Sequence, residues 1–530
     1  MNNLYVVAVG GSGERILRSF TMALVAGVGI KANKVIPVIV DNDAKSKALV
    51  NCKDLIRAYR DTTVPGVHAL YRKIAPELPS FCHVDIAEPI ILDVSGGNIG
   101  DLDNVIGCPS SKGEEDPFDK AIKSLNAERE LLFTNSELSM PLNVGFVGCP
   151  NIGSVVMNSM SLSDHQFQTV MTATQQDGVI VIGSLFGGTG AAGIPLIINK
   201  LLQTDSTDKP QIGVIAMLPY FQIDTEENAN DTPELKKGGY DVKSDIFDLK
   251  TRAALMYYDK HMSKRLDYMY YVGDDNPSTF KKSLGGMNQD NPATICDLMA
   301  AMAIVDFAKE EQTKTTTYKR PAWGFADDSV NSNTSGIMNA DLKRALVKFK
   351  MMEYLFIHPD VFPMAVKSQK QIWDFVKAIG FDEAKLSSIT TSGQIAFSDA
   401  SGLNYIIKAF NEWLKELSTG NQRAVRLTRT LNVFNDANAQ TIEADKLATA
   451  FFADSQVEGM GLAKWIHHNP LFGKQYNEVV NANILNELQT AYNELPTQYK
   501  GTIANDQILP IVLLYISKAL DSVLDKSFNL

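Results

Sequence analysis

The chain predicts an α/β protein built on a parallel sheet, and three observations carry that prediction. Residues 179–185 (VIVIGSL) form a short, almost wholly apolar run rich in β-branched side chains, the pattern of a strand buried on both faces. The turn Phe186-Gly-Gly-Thr-Gly-Ala-Ala-Gly193 follows directly, and helical apolar spacing begins at Ile194, with Pro195 expected in the first turn, where its missing N–H costs nothing. The same succession of apolar run, polar or glycine loop and helix recurs along the first 280 residues. In an open parallel sheet such loops gather on one edge, where these folds bind ligands.

The elements follow in order. Residues 4–9 (LYVVAV) read as the first strand, and Gly10-Gly-Ser-Gly13 turns into a helix carried by Ile16, Leu17, Phe20 and Leu24. This turn fits a GxGxxG dinucleotide fingerprint only in part, because Arg15 or Ile16 occupies the third glycine position. A strand at 35–40 ends in Asp41-Asn-Asp43-Ala44. Those carboxylates suit a ribose hydroxyl or a hydrated Mg²⁺ beside phosphates, and equally suit a turn before a helix at 45–55. Residues 56–140, broken by PGV, PELPS, SGGNIG and GEEDPF, read as an insertion with one strand at 89–94. A strand is expected at 143–148, followed by the loop Cys149-Pro-Asn-Ile-Gly-Ser154 and an amphipathic stretch to Gln176. Beyond the central turn come a strand at 212–218, the segment Pro219-Tyr-Phe-Gln222, a solvated acidic loop at 223–234, a helix at about 245–265 and a strand at 267–272.

The turn at 187–193 contains four glycines, one hydroxyl and two alanines, so a ligand can approach its backbone closely. Peptide N–H groups and the positive end of the following helix favour an anion there, foremost a nucleotide's phosphates. The bland alternative is a turn that only packs a helix tightly on a sheet.

Bulk properties narrow the function. A net charge of −11 argues against a general nucleic-acid or membrane-surface binder, which needs a basic face. Cys52, Cys82, Cys108, Cys149 and Cys296 are scattered and form no CxxC, so they suggest neither a disulfide framework nor a zinc site. The sequence shows no targeting leader and no apolar run long enough to span a bilayer, and the expectation is a cytoplasmic protein.

The order of these loops resembles the tubulin/FtsZ superfamily, closest to its divergent bacterial tubulin-like members. GGTGAAG is similar to the signature GGGTG(S/T)G, with Phe186 standing at its first glycine. GGSG at 10–13 resembles the first phosphate loop, and DNDA at 41–44 is similar to the FtsZ loop containing TDA. CPNIGS stands where the γ-phosphate loop falls, and PYF at 219–221 resembles the segment KPF that runs towards the ribose. Asn276 matches the asparagine that helps read guanine. Residues 291–311 correspond to the family's long central helix, where Asn291 or Asp297 would make a second base contact; an amide and a carboxylate both suit guanine. The resemblance covers residues 4–310, without 56–140.

The resemblance implies a parallel-sheet nucleotide-binding domain over residues 1–290 that takes GTP or GDP with Mg²⁺. The backbone of Gly187, Gly188, Thr189, Gly190, Ala191 and Gly193 would hold the α- and β-phosphates, helped by Gly10, Gly11, Ser12 and Gly13. Asn151 and Gly153 would sense the γ-phosphate, and Asp41 or Asp43 would act through Mg²⁺-bound water. It also implies head-to-tail self-association, with phosphoryl transfer to water completed by carboxylates that follow the central helix of a neighbouring copy. The family's NxDxxD pattern does not occur there; Asp306, Glu310, Glu311, Asp327 and Asp328 are the acids available, Asp306 and Glu310 foremost.

After a linker at 312–340, residues 341–530 read as mainly helical, with apolar residues at three- and four-residue spacing where the family has a β-sheet-containing domain. Such stripes are core far more often than grooves, but a protein partner for 341–530 is an open expectation. His467-His468 lacks neighbours at metal-ligand spacing and reads as loop. Two other functions compete with an assembling GTPase. One is a non-hydrolysing, nucleotide-controlled scaffold; the other is a dinucleotide-dependent oxidoreductase, opposed by the lack of a credible catalytic His or Tyr-Lys pair.

Overall fold

A computed structural model describes residues 1–62, 80–93, 102, 127–138, 142–159, 165–203, 208–224, 244–319, 342–353, 401–418, 486–497 and 508–525, less a few single positions inside those stretches, Asn276 among them. The loop at 225–234, the segment GFADDS at 324–329, His467-His468 and most of residues 354–400 and 419–485 lie outside the described residues.

The chain begins with β1 (Asn3–Val9), α1 (Gly10–Ala26), β2 (Lys34–Asp41), α2 (Lys47–Thr62), β3 (Asp85–Ile86) and β4 (Ile90–Asp93). A short α3 (Asn135–Leu138), α4 (Pro150–Ser159) and α5 (His165–Met171) lead to β5 (Gly178–Ser184) and α6 (Thr189–Leu202). Next come β6 (Gln211–Met217), β7 (Phe221–Ile223), α7 (Phe247–His261), β8 (Tyr268–Val272), β9 (Ser278–Phe280), α8 (Ile295–Phe307) and β10 (Thr317–Lys319). Towards the C-terminus lie α9 (Ser401–Ser418) and α10 (Ile508–Val523).

The main sheet has the order β10-β8-β6-β5-β1-β2-β3, with β4 also pairing β2, and every described pairing in it is parallel. β1 and β5 are buried almost completely, which is why they read as continuous apolar runs rather than alternating ones. Alternation along β1 divides its side chains between two cores. Leu4, Val6 and Ala8 face one core with α1, α2, α8 and α9; Tyr5, Val7 and Val9 face the other with α4, α6 and α7. The sheet is therefore wound on both faces.

Apart from Asp297 and the partly buried Asp306, α8 is apolar and buried on every side, as a helix enclosed by neighbours must be. Its start is fixed by a capping box, in which Thr294 Oγ accepts from the Asp297 N–H and the Asp297 carboxylate accepts from the Thr294 N–H. That cap places the helix start at Ile295 rather than at 291.

The described C-terminal helices share the core of α1 and α2. Trp413 of α9 is fully buried and donates from Nε1 to Ser19 Oγ on α1 at 3.0 Å. Arg18 of α1 makes a bidentate pair with Glu416 at 2.8–3.0 Å. At the far end, Lys348 and Arg344 both bind the carboxylate of Asp521 on α10. The helical character expected for 341–530 is present in these described segments. Among the described residues, no helix is long and apolar enough to cross a membrane.

Several local expectations are corrected. Residues 143–148 do not form a strand in their described part, because Gly145 and Gly148 take φ of 89° and 73°, outside the extended region. α6 begins at Thr189, five residues before the expected start, so Pro195 sits inside the helix rather than in its first turn. α1 likewise starts at Gly10, taking the glycine turn into its first turn.

Candidate nucleotide cleft

Along the sheet, β1 feeds α1 onto one face and the adjacent β5 feeds α6 onto the other, so the crevice between their C-terminal ends is the topological switch point. Two helix N-termini meet there. A Cβ on Gly10 would lie 3.1 Å from Thr189 Cβ and 3.3 Å from the Gly190 nitrogen, which shows how closely the two turns approach. Gly10 also holds φ of 70°, a conformation that favours glycine. Gly190 is pressed against Ser184, whose backbone would lie 2.8 Å from any added Cβ. Neither α1 nor α6 has a side-chain N-cap or an acidic residue in its first turn. Their first N–H groups and dipoles are thus left for an anion.

The cleft is lined by Gly10, Gly11, Ser12, Asp41, Asp43, Gly187, Gly188, Thr189, Gly190 and Asn291, all proposed from sequence. Gly13 is instead seated behind the turn, where a Cβ would meet Ala8 and the Ile182 carbonyl at 2.9 Å. Gly193 packs against Val9 and Met157. Ala191 faces a different cavity, between α4, α6 and α7. Asn151 and Gly153 do not line the cleft: Asn151 is exposed and donates to Glu137 Oε1 at 3.2 Å, while Gly153 packs against Ala192 and Phe146. Gly145, Phe146 and Gly148 take their place on that wall, steadied by Lys250, whose Nζ donates to the Gly148 carbonyl at 2.6 Å.

One wall is acidic. Asp41 Oδ1 accepts from the N–H groups of Asn42 at 2.7 Å and Asp43 at 3.2 Å, and Asp43 Oδ2 accepts from the Gly286 N–H at 2.6 Å. Glu14, fully buried on α1, accepts from Ser46 Oγ at 3.0 Å through one oxygen, while its other oxygen lies beside Asp41 with no donor among the described residues. Burial pushes the Asp41 carboxyl up to about 6 against the opposing pull of those N–H donors. Burial, reinforced by Asp41, raises Glu14 well above the usual carboxylate range. Glu14 was not singled out from the sequence; its only signal is its position directly after Gly13. Among the described residues no group of three or more acidic, His or Cys side chains is arranged to grip a bare cation.

The opposite wall is aromatic and basic. Phe221 and Phe280 stack at 4.8 Å between the short parallel strands β7 and β9. Arg15, 4% exposed, lies 5.9 Å from both rings and donates from Nη2 to Tyr220 Oη at 2.6 Å and Ser12 Oγ at 3.3 Å. Asp297 does not reach the cleft lining. One oxygen is engaged by the Thr294 cap and lies 3.8 Å from Arg15 Nε, and the other accepts from Tyr220 Oη at 3.3 Å. Of the two residues offered for the second base contact, Asn291 is the one on the wall.

Asp306 and Glu310 sit at the other edge of the sheet. Lys319 Nζ lies 2.7 Å from Asp306 and 2.6 Å from Glu310, while the hydroxyls of Tyr270 and Tyr268 donate to the same two acids. Tyr268 opens β8, whereas the cleft lies beyond strand C-termini, so neither carboxylate serves the cleft of its own chain.

Comparison of the chain with protein-family models, with curated proteins and with solved structures finds no match.

Proposed function

We propose that this chain is a tubulin/FtsZ-like nucleotide-binding protein that holds GTP or GDP with Mg²⁺ at the switch-point cleft. The observation that carries the reading is the meeting of two uncapped helix N-termini, α1 and α6, through Gly10, Thr189 and Gly190. Phosphates would take N–H donors from Gly11 to Ser12 and from Gly188 to Gly190, with the Thr189 hydroxyl alongside. Mg²⁺, when bound, would neutralise phosphate charge with Asp41 and Asp43 acting through its waters. Phe221 and Phe280 offer an apolar wall for the base, with Asn291 and Arg15 as polar readers. A cation between the aromatic wall and the phosphate loop suits a ligand that is itself anionic.

The site of Asp306 and Glu310 on the opposite edge is compatible with head-to-tail assembly, in which one copy's acids meet the next copy's cleft. A second reading, a nucleotide-controlled scaffold without hydrolysis, is favoured by one feature. Lys319 spans both acids and neutralises them within the chain.

The test is titration of the purified chain with labelled GTP, ATP and NAD, alongside phosphate release over a range of protein concentrations. Selective GTP binding with release steeper than linear supports an assembling GTPase. Selective GTP binding without release supports the scaffold, and absence of GTP binding by folded protein overturns both.

A further inference from the structure

We propose that Arg15, beyond its place beside the aromatic wall, binds the ligand's phosphates, as a fixed cation that the chain itself supplies to the cleft. This assignment rests on the nucleotide reading of the cleft. Arg15 lines the cleft and is 4% exposed. Its three nitrogens are not alike. Nη2 is spent on Tyr220 Oη and Ser12 Oγ. Nε is sealed from solvent without a hydrogen bond, and its nearest counter-charge is Asp297 at 3.8 Å. Nη1 makes no hydrogen bond among the described residues and, unlike Nε, keeps accessible surface. A Cβ built on Gly11 would lie 3.9 Å from Nη1, so this free donor stands beside the first turn of α1, whose N–H groups face the same cleft.

The guanidinium is held in place before any ligand arrives. Tyr220, itself 1% exposed, and Ser12 fix one of its nitrogens, and the rings of Phe221 and Phe280 lie 5.9 Å from its central carbon. A planar fork of donors that is already ordered loses little freedom on binding a phosphate. A buried cation with an unpaired donor is costly until an acceptor of opposite charge completes it, and Asp297, on the Nε side, completes only part. Asp41 and Asp43 on the facing wall repel an anion, which directs its charge towards Arg15 and the two helix N-termini. A nucleoside without phosphates brings no counter-charge to this point, and a cationic ligand is repelled by it.

The test is calorimetric titration of the full chain with GDP and with inorganic pyrophosphate, in the wild type and in two variants of opposite electrostatic sign. Arg15→Gln removes the cation and is expected to weaken binding about tenfold or more. Asp297→Asn keeps an acceptor for the Thr294 N–H but removes the charge beside Nε, and is expected to strengthen binding several-fold although it lowers the Tm of the free chain. A residue that only supports the fold would weaken binding in both variants. The assignment is overturned if Arg15→Gln leaves affinity unchanged or if Asp297→Asn fails to raise it; should Arg15→Gln not fold, the sign in Asp297→Asn decides alone. GDP binding with either of those results ends the role of Arg15 and leaves the nucleotide reading standing. Pyrophosphate binding without GDP binding, with the expected signs, does the reverse, and a folded wild type that binds neither probe overturns both.

Discussion

Asp41 and Glu14 are carboxylates that folding makes more basic, and that fixes the sign of a pH effect. With Asp41 held at about 6, the folded chain binds more protons than the unfolded chain between roughly pH 4 and that value. Stability is therefore greater on the acid side of this window and declines as pH rises through it. Asp41→Asn keeps an acceptor for the Asn42 and Asp43 N–H groups while removing the charge. It should raise stability at pH 8 by up to about 3 kcal/mol, with little change at pH 4, a difference that urea denaturation at the two pH values reads directly. An equal effect at both would show that the carboxylate is not strained by burial. The same variant should weaken Mg²⁺-dependent nucleotide binding if the acidic wall faces a hydrated ion.

At the scale of elements, the turn into α6 and the cap of α8 make separable contributions. Gly190→Ala drives a methyl into the Ser184 backbone, and the shift it forces should cost about 1–3 kcal/mol and lower nucleotide affinity by tenfold or more. Calorimetry on the folded variant checks this; unchanged affinity would mean that the turn only packs α6 on the sheet. Thr294→Ala removes half of the capping box and should cost about 1 kcal/mol in thermal denaturation. These elements also show what the sequence makes legible. β1, β2, β5, β6 and β8 are found because a strand buried on both faces leaves a nearly continuous apolar run, β-branched in the first four and aromatic in β8. β3 and β10, two and three residues long, are set by pairing with a neighbour and leave no periodic trace. The supposed strand at 143–148 has strand-like composition, but its glycines adopt φ values that composition does not reveal. Gly153 and Asn151 were placed at the γ-phosphate by loop order alone, whereas close packing of α4 on α6 accounts for the glycine. Glu14 is not legible in the sequence because α1 is buried on every side from Gly13 to Ala26, Arg15, Arg18 and Ser19 included, so polarity marks no exposed face there.

Across the whole molecule, the C-terminal helix α9 is tied to the rim of the cleft. Glu416 binds Arg18 and also accepts from the Ala293 N–H at 2.7 Å, two residues from Asn291. The same rim is held from the other side by Asp43 at Gly286 and by Lys47 at Asp290. Glu416→Ala should cost about 3 kcal/mol, since it leaves a largely buried guanidinium without its partner. It should also speed amide exchange over residues 286–294 more than over β1 or β5. Uniform acceleration would mean that α9 supports the fold without bearing on the cleft. The enclosed part of the cleft is only about 160 Å³, below the roughly 300 Å³ at which small-molecule pockets begin. Nucleotide binding should therefore be accompanied by displacement and then protection of this rim.

The uncapped ends of α1 and α6 have a consequence for how such a protein changes over generations. Peptide N–H groups are common to every residue except proline, so a site assembled from them asks little of side-chain identity beyond smallness at a few positions. Substitutions elsewhere can accumulate until letter-by-letter comparison has almost nothing to grip, while the array of donors stays where the sheet edge puts it.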